Sequence, residues 1–100
     1  MYDMANMKKL KTLKDLAPEG MAAFMAFDAA AFKDGALPTK TKELIALAVA
    51  FTTQCPYCIE IHAKRAKAAG CTDAEITEAS MVAAAIRAGG AVTHATHAIG

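Results

Sequence analysis

Cys55 and Cys58 stand three residues apart, and His62 follows one helical turn after Cys58, within Gln54-Cys55-Pro56-Tyr57-Cys58-Ile59-Glu60-Ile61-His62. At about 100° per residue, the three side chains fall within roughly 60° of one another on a helical wheel. One face of one helix would then carry two sulfurs and an imidazole. Two chemistries use such a set. A free thiol, with a pKa of about 8.5, is mostly protonated at neutral pH and only the thiolate is a nucleophile; a histidine one turn away can accept the proton. The unpaired N–H groups and positive dipole end of a first helical turn also favour an anion placed there. A Cys-x-x-Cys pair so placed can attack a peroxide or a disulfide with one sulfur and resolve the product with the other. The competing chemistry is zinc, for which Cys55, Cys58 and His62 supply three of four tetrahedral ligands. A fourth would have to come from residues such as Cys71, His94 and His97. The inert reading is two small buried cysteines and a core or surface histidine, in an assembly protein whose helices serve only as interfaces.

The elements that must position these residues read as helices. Met4, Met7, Leu10 and Leu13 recur every three residues, which predicts an amphipathic N-terminal helix over residues 1–16 with a frayed start. Pro18 suits a first helical turn, and Lys33-Asp34-Gly35 closes a second helix over residues 18–34. Its Phe24, Phe27 and Phe32 are expected to anchor a core or an interface. Thr39 or Thr41 can cap a third helix, apolar on nearly every face after Glu43 and therefore central. From this helix alone, Glu43 is equally well a carboxylate entering the apolar region or an exposed first-turn glutamate favoured by the dipole.

The fourth helix should begin inside the motif, with Cys55 at the cap and Pro56 in the first turn, and end before Gly70. Thr72-Asp73-Ala74-Glu75 forms a capping box for a fifth helix. Gly89-Gly90 is expected to break it, leaving a short sixth helix over residues 91–100. No useful alternating pattern predicts a strand. The expected fold is all-α, a single compact domain of about six helices with its core over residues 18–90.

Composition narrows the function classes. Of 100 residues, 55% are hydrophobic and mean hydropathy is +0.25, which is high for a chain this small and points to apolar surface shared between copies. A net charge of +1 gives no nucleic-acid or membrane-surface footprint. The run Lys8, Lys9, Lys11 and Lys14 reads as a solvated helix face. No apolar run approaches the ~18 residues of a membrane span, and no signal-peptide core is evident. An odd number of cysteines, two of them too close to staple distant segments, favours a reducing, cytoplasmic setting. Cys71 reads as a small buried residue, and His94 and His97 as polar surface or subunit-contact groups.

Glu43, eleven residues, Cys55-Pro56-Tyr57-Cys58, three residues, His62 and an alanine-rich stretch to Gly70 together resemble the alkylhydroperoxidase D core of the carboxymuconolactone decarboxylase-like superfamily. The resemblance covers most of the chain. It implies an alkylhydroperoxidase D-like helical fold, usually trimeric or hexameric, with its site in a pocket close to a subunit interface. It also implies a thiol-dependent peroxidase or disulfide oxidoreductase without a bound cofactor. Cys58 would be the attacking thiolate and Cys55 its disulfide partner, with His62 and Glu43 as the proton relay. The substrate would be a hydroperoxide or disulfide, and the reductant an external dithiol on a lipoyl-type or thioredoxin-like carrier. One departure limits the peroxidase reading: where the best-described peroxidase members carry a further histidine between the cysteines, this chain has Tyr57. Tyrosine can donate a hydrogen bond in support but is a poor base at neutral pH. The cysteine pair is generally absent from the decarboxylase branch, so lactone decarboxylation is not expected.

Overall fold

A computed structural model describes residues 2–100. Among them every regular element is helical, as expected: α1 (Leu10–Leu16), α2 (Pro18–Phe32), α3 (Thr39–Thr53), α4 (Pro56–Ala68) and α5 (Asp73–His94), with 3-10 segments at Met4–Lys9 and Ala95–Ala98. The chain divides into two compact units, one ending at Thr39 and the other spanning Lys40–Gly100.

In the N-terminal unit, the helix expected over residues 1–16 is split. Asp3 accepts the Ala5 N–H (2.9 Å) and opens a 3-10 segment, and α-helical geometry starts only at Leu10. The first residue of that expected helix, Met1, lies outside the described residues. Ala17 joins α1 to α2, donating its N–H to the Leu13 carbonyl while its own carbonyl accepts from Met21. Pro18 occupies the first turn of α2, where its missing N–H costs nothing. No residue of α1 or α2 is buried. Phe24 and Phe27 are 58% and 71% exposed, so they are not core residues of the isolated chain.

The loop after α2 is tied by side chains rather than capped by a threonine hydroxyl. Asp34 accepts the Thr39 N–H at 2.7 Å, and Thr39 Oγ1 donates to the Phe32 carbonyl at 2.8 Å. The capping oxygen comes from five residues upstream, outside the adjacent cap position where Thr39 and Thr41 were the candidates.

In the second unit, the fully buried Leu47 and Ala66 form the core with Cys71, flanked by Leu44, Phe51, Ala63 and Ile76. Helix α3 buries one face, through Glu43, Leu47 and Ala50, while Ile45 and Val49 on other faces remain about half exposed. Helix α4 closes where Gly70 adopts φ +94°. The Gly70 N–H bonds the Lys67 carbonyl and the Cys71 N–H bonds the Ala66 carbonyl, the paired bonds of a Schellman turn. This turn drops Cys71 onto Ala66 and Leu47, and its thiol donates to the Lys40 carbonyl at 3.6 Å. Thr72 and Glu75 form the reciprocal capping box expected for α5.

The expected break at Gly89-Gly90 does not occur. Helix α5 runs through both glycines to His94, and only the 3-10 segment Ala95–Ala98 stands where a sixth helix was expected. Each glycine costs about 1 kcal/mol relative to alanine inside a helix. That penalty is too small to stop a helix flanked by alanines with no proline or alternative cap at hand.

Candidate functional site

The site is built by the junction of α3 and α4. Thr52 and Thr53 turn their hydroxyls back onto the Val49 carbonyl at 2.8 and 3.1 Å. Gln54 then adopts φ +55°, in the left-handed region, and the Cys55 N–H reaches back to the Ala50 carbonyl at 3.1 Å. This is a second Schellman-type closure, with glutamine where glycine is the usual occupant. The sequence carried no signal for it, because nothing in the residue type of Gln54 announces positive φ. The turn delivers Cys55 directly to the N-cap of α4, with Pro56 in the first turn as expected.

Cys55 and Cys58 are joined by a disulfide, with their Cα atoms 5.3 Å apart. Cys55 Sγ also accepts the Cys58 N–H at 3.3 Å, so one sulfur caps the helix that carries the other. His62 lies one turn beyond Cys58 on α4 and is largely buried. Its Nδ1 meets Glu43 Oε2 of α3 at 2.7 Å. Glu43 itself is only 2% exposed, which settles its placement: it enters the apolar region and is not a solvated first-turn glutamate. A buried carboxylate requires a partner, and the imidazole is one. Tyr57 is half-buried in the first turn of α4 between the two cysteines.

The structure therefore gathers Cys55, Cys58 and His62 on α4 and adds Glu43 from α3. Cys71 belongs to the core at the other junction of α4. Burial pushes its thiol pKa up; the charges of Glu75 and Glu43 act in the same direction, against Lys40. His94 and His97 lie at the far end of α5. Among the described residues, no group of three or more His, Cys, Asp or Glu side chains is arranged to hold a metal ion. With Cys55 and Cys58 bonded to each other, neither sulfur is a free thiolate for the zinc arrangement.

A cleft of about 210 Å³ runs beside the turn, lined by Phe51, Thr52, Gln54, Ser80, Ala83, Ala84 and Arg87. Gln54 immediately precedes the disulfide, so this opening reaches the chain next to Cys55. Among the described residues, no helix is long and apolar enough to cross a membrane.

Residues 18–99 match the carboxymuconolactone decarboxylase family. A protein from Paracoccus denitrificans, known as uncharacterized protein 4 in the cox locus, is 53% identical over 77 residues, covering 77% of this chain and 69% of that protein. The crystal structure of a carboxymuconolactone decarboxylase family protein from Legionella pneumophila superposes with a TM-score of 0.77 at 39% identity, covering 80% of this chain and 71% of that one. Another member of the family, from Thermotoga maritima, for which a part in an antioxidative response has been suggested, gives a TM-score of 0.61 at 36% identity and covers 64% and 66% of the two chains.

Proposed function

The chain belongs to the carboxymuconolactone decarboxylase family, and from that premise we propose that it is a thiol-dependent peroxidase or disulfide oxidoreductase of the Cys-x-x-Cys branch. The observation that carries this reading is a buried Glu43–His62 contact of 2.7 Å made by the helix that also carries the Cys55–Cys58 disulfide. An imidazole oriented by a carboxylate through one nitrogen keeps the other for proton exchange.

In the reduced protein, His62 takes the proton of the Cys58 thiol. The Cys58 thiolate attacks the terminal oxygen of a hydroperoxide; the O–O bond breaks, the alcohol leaves with that proton, and Cys58 becomes a sulfenic acid. The Cys55 thiol attacks this sulfur, water departs, and the disulfide forms. An external dithiol then returns two electrons by thiol–disulfide exchange and is itself oxidised to a disulfide. A protein disulfide in place of the hydroperoxide would use the same pair. Tyr57 between the cysteines supplies a hydrogen-bond donor and no neutral-pH base, which fits modest peroxidase turnover.

The exposed apolar side chains of α2 and α5, among them Phe24, Phe27, Val82 and Ile86, support association between copies, and the family resemblance makes a homotrimer or homohexamer the form proposed. A thiol pair that cycles between dithiol and disulfide, as this reading requires, fits a cytoplasmic location. The deciding experiment is hydroperoxide consumption with a dithiol reductant supplied. Cys58→Ser should abolish turnover, and Cys55→Ser should stop after one turnover. Undiminished steady-state activity in both variants would sink the proposal. Near one zinc per chain in protein purified under reducing conditions, lost in Cys58→Ser, would replace it with a metal centre at Cys55, Cys58 and His62.

A further inference from the structure

Helix α5 ends at His94, and the chain then tightens into the 3-10 segment Ala95–Ala98, which carries His97. Side chains three apart eclipse one another in 3-10 geometry, whereas an α-helix offsets them. The two imidazoles accordingly lie side by side, with ring centroids 5.3 Å apart and planes inclined by 41°. Both residues are exposed, and neither ring is hydrogen-bonded or ion-paired among the described residues.

We propose that His94 and His97 chelate one divalent transition-metal ion of the imidazole-preferring class, Zn²⁺, Ni²⁺ or Cu²⁺. The first support is the spacing. Two imidazoles bound to one ion through metal–nitrogen bonds of about 2.0–2.1 Å at a near-tetrahedral angle hold their ring centres roughly 5 Å apart. The two rings already stand at that separation. The second support is electrostatic. The pair straddles the C-terminus of a 22-residue helix, the negative end of its macrodipole, where a cation is favoured. His94 also lines a cleft of about 380 Å³ with Ile86, Arg87, Gly90 and Ala91, which leaves room for the waters that complete the coordination shell.

This site is independent of the thiol chemistry, and it can be tested without it. The oxidised full chain, in which the motif thiols cannot coordinate, is titrated with Ni²⁺, Zn²⁺ and Mg²⁺ by calorimetry. Ni²⁺ is also followed through paramagnetic broadening of backbone amide signals. One saturable Ni²⁺ or Zn²⁺ per chain is expected, with broadening centred on residues 91–99 and no response to Mg²⁺. His94→Gln or His97→Gln should weaken binding at least tenfold, and the double substitution should remove it while helical circular dichroism stays unchanged. Absence of saturable binding to the wild-type chain, wild-type affinity in the double variant, or broadening centred on His62 would overturn the assignment.

Discussion

Replacing Glu43 by glutamine removes one charge from the most deeply buried polar contact of the Lys40–Gly100 unit while leaving its shape and a hydrogen-bond acceptor in place. The Glu43 and His62 side chains are 3% and 14% exposed, so solvent screens their interaction little. A hydrogen bond to a charged partner contributes about 1.5–3 kcal/mol, against about 1 for a neutral one. If the pair acts as the proton relay, losing the difference of about 0.5–2 kcal/mol should lower kcat/KM for hydroperoxide by roughly 2- to 30-fold at about 1.4 kcal/mol per decade. The pH dependence of Cys58 alkylation in the reduced protein should move to higher pH as the relay weakens. Glu43→Ala goes further, because it strands the imidazole beside an empty space; removing one member of a buried pair costs about 3–5 kcal/mol. Against a total stability of about 5–15 kcal/mol, denaturant unfolding would show this directly. Turnover and alkylation that are unchanged in Glu43→Gln, together with unchanged stability in Glu43→Ala, would refute the coupling between α3 and the thiols.

Gln54→Gly should raise the unfolding free energy by about 0.5–1 kcal/mol, since a non-glycine residue in the left-handed region costs about 1–2 kcal/mol and glycine returns part of this as backbone entropy; Gln54→Val should lower it, and equal denaturant midpoints would refute the strain. The Glu75 carboxyl pKa is held below its usual range by the Thr72 N–H and by Lys40. Its stabilisation is therefore present above the ordinary carboxylate range and lost as pH falls through its own lower value, and Glu75→Gln, which removes the titrating carboxyl, should flatten that acid limb in pH-dependent unfolding. Burial raises the Cys71 thiol pKa, so in the folded protein Cys71 should alkylate more slowly than the same thiol in denaturant at mildly alkaline pH; equal rates would contradict its burial.

The division between what was legible and what was not follows the range of the interactions. Cys58 and His62 lie one turn apart on α4 and Cys55 caps it because helical periodicity and capping are local, and Pro56, Gly70 and the Thr72–Glu75 box mark the boundaries by chemistry acting over a few residues. The sequence by itself therefore determined α4, its cap and its ordered set of reactive groups, and through their spacing the family resemblance. It did not determine the role of Glu43. From α3 alone the carboxylate could equally face water, and only packing of α3 on α4 closes the 2.7 Å contact with a histidine nineteen positions away. The left-handed turn at Gln54 and the passage of α5 through Gly89-Gly90 were likewise decided by the folded structure. In both places the local preference amounts to only about 1–2 kcal/mol, too little to dictate the backbone by itself.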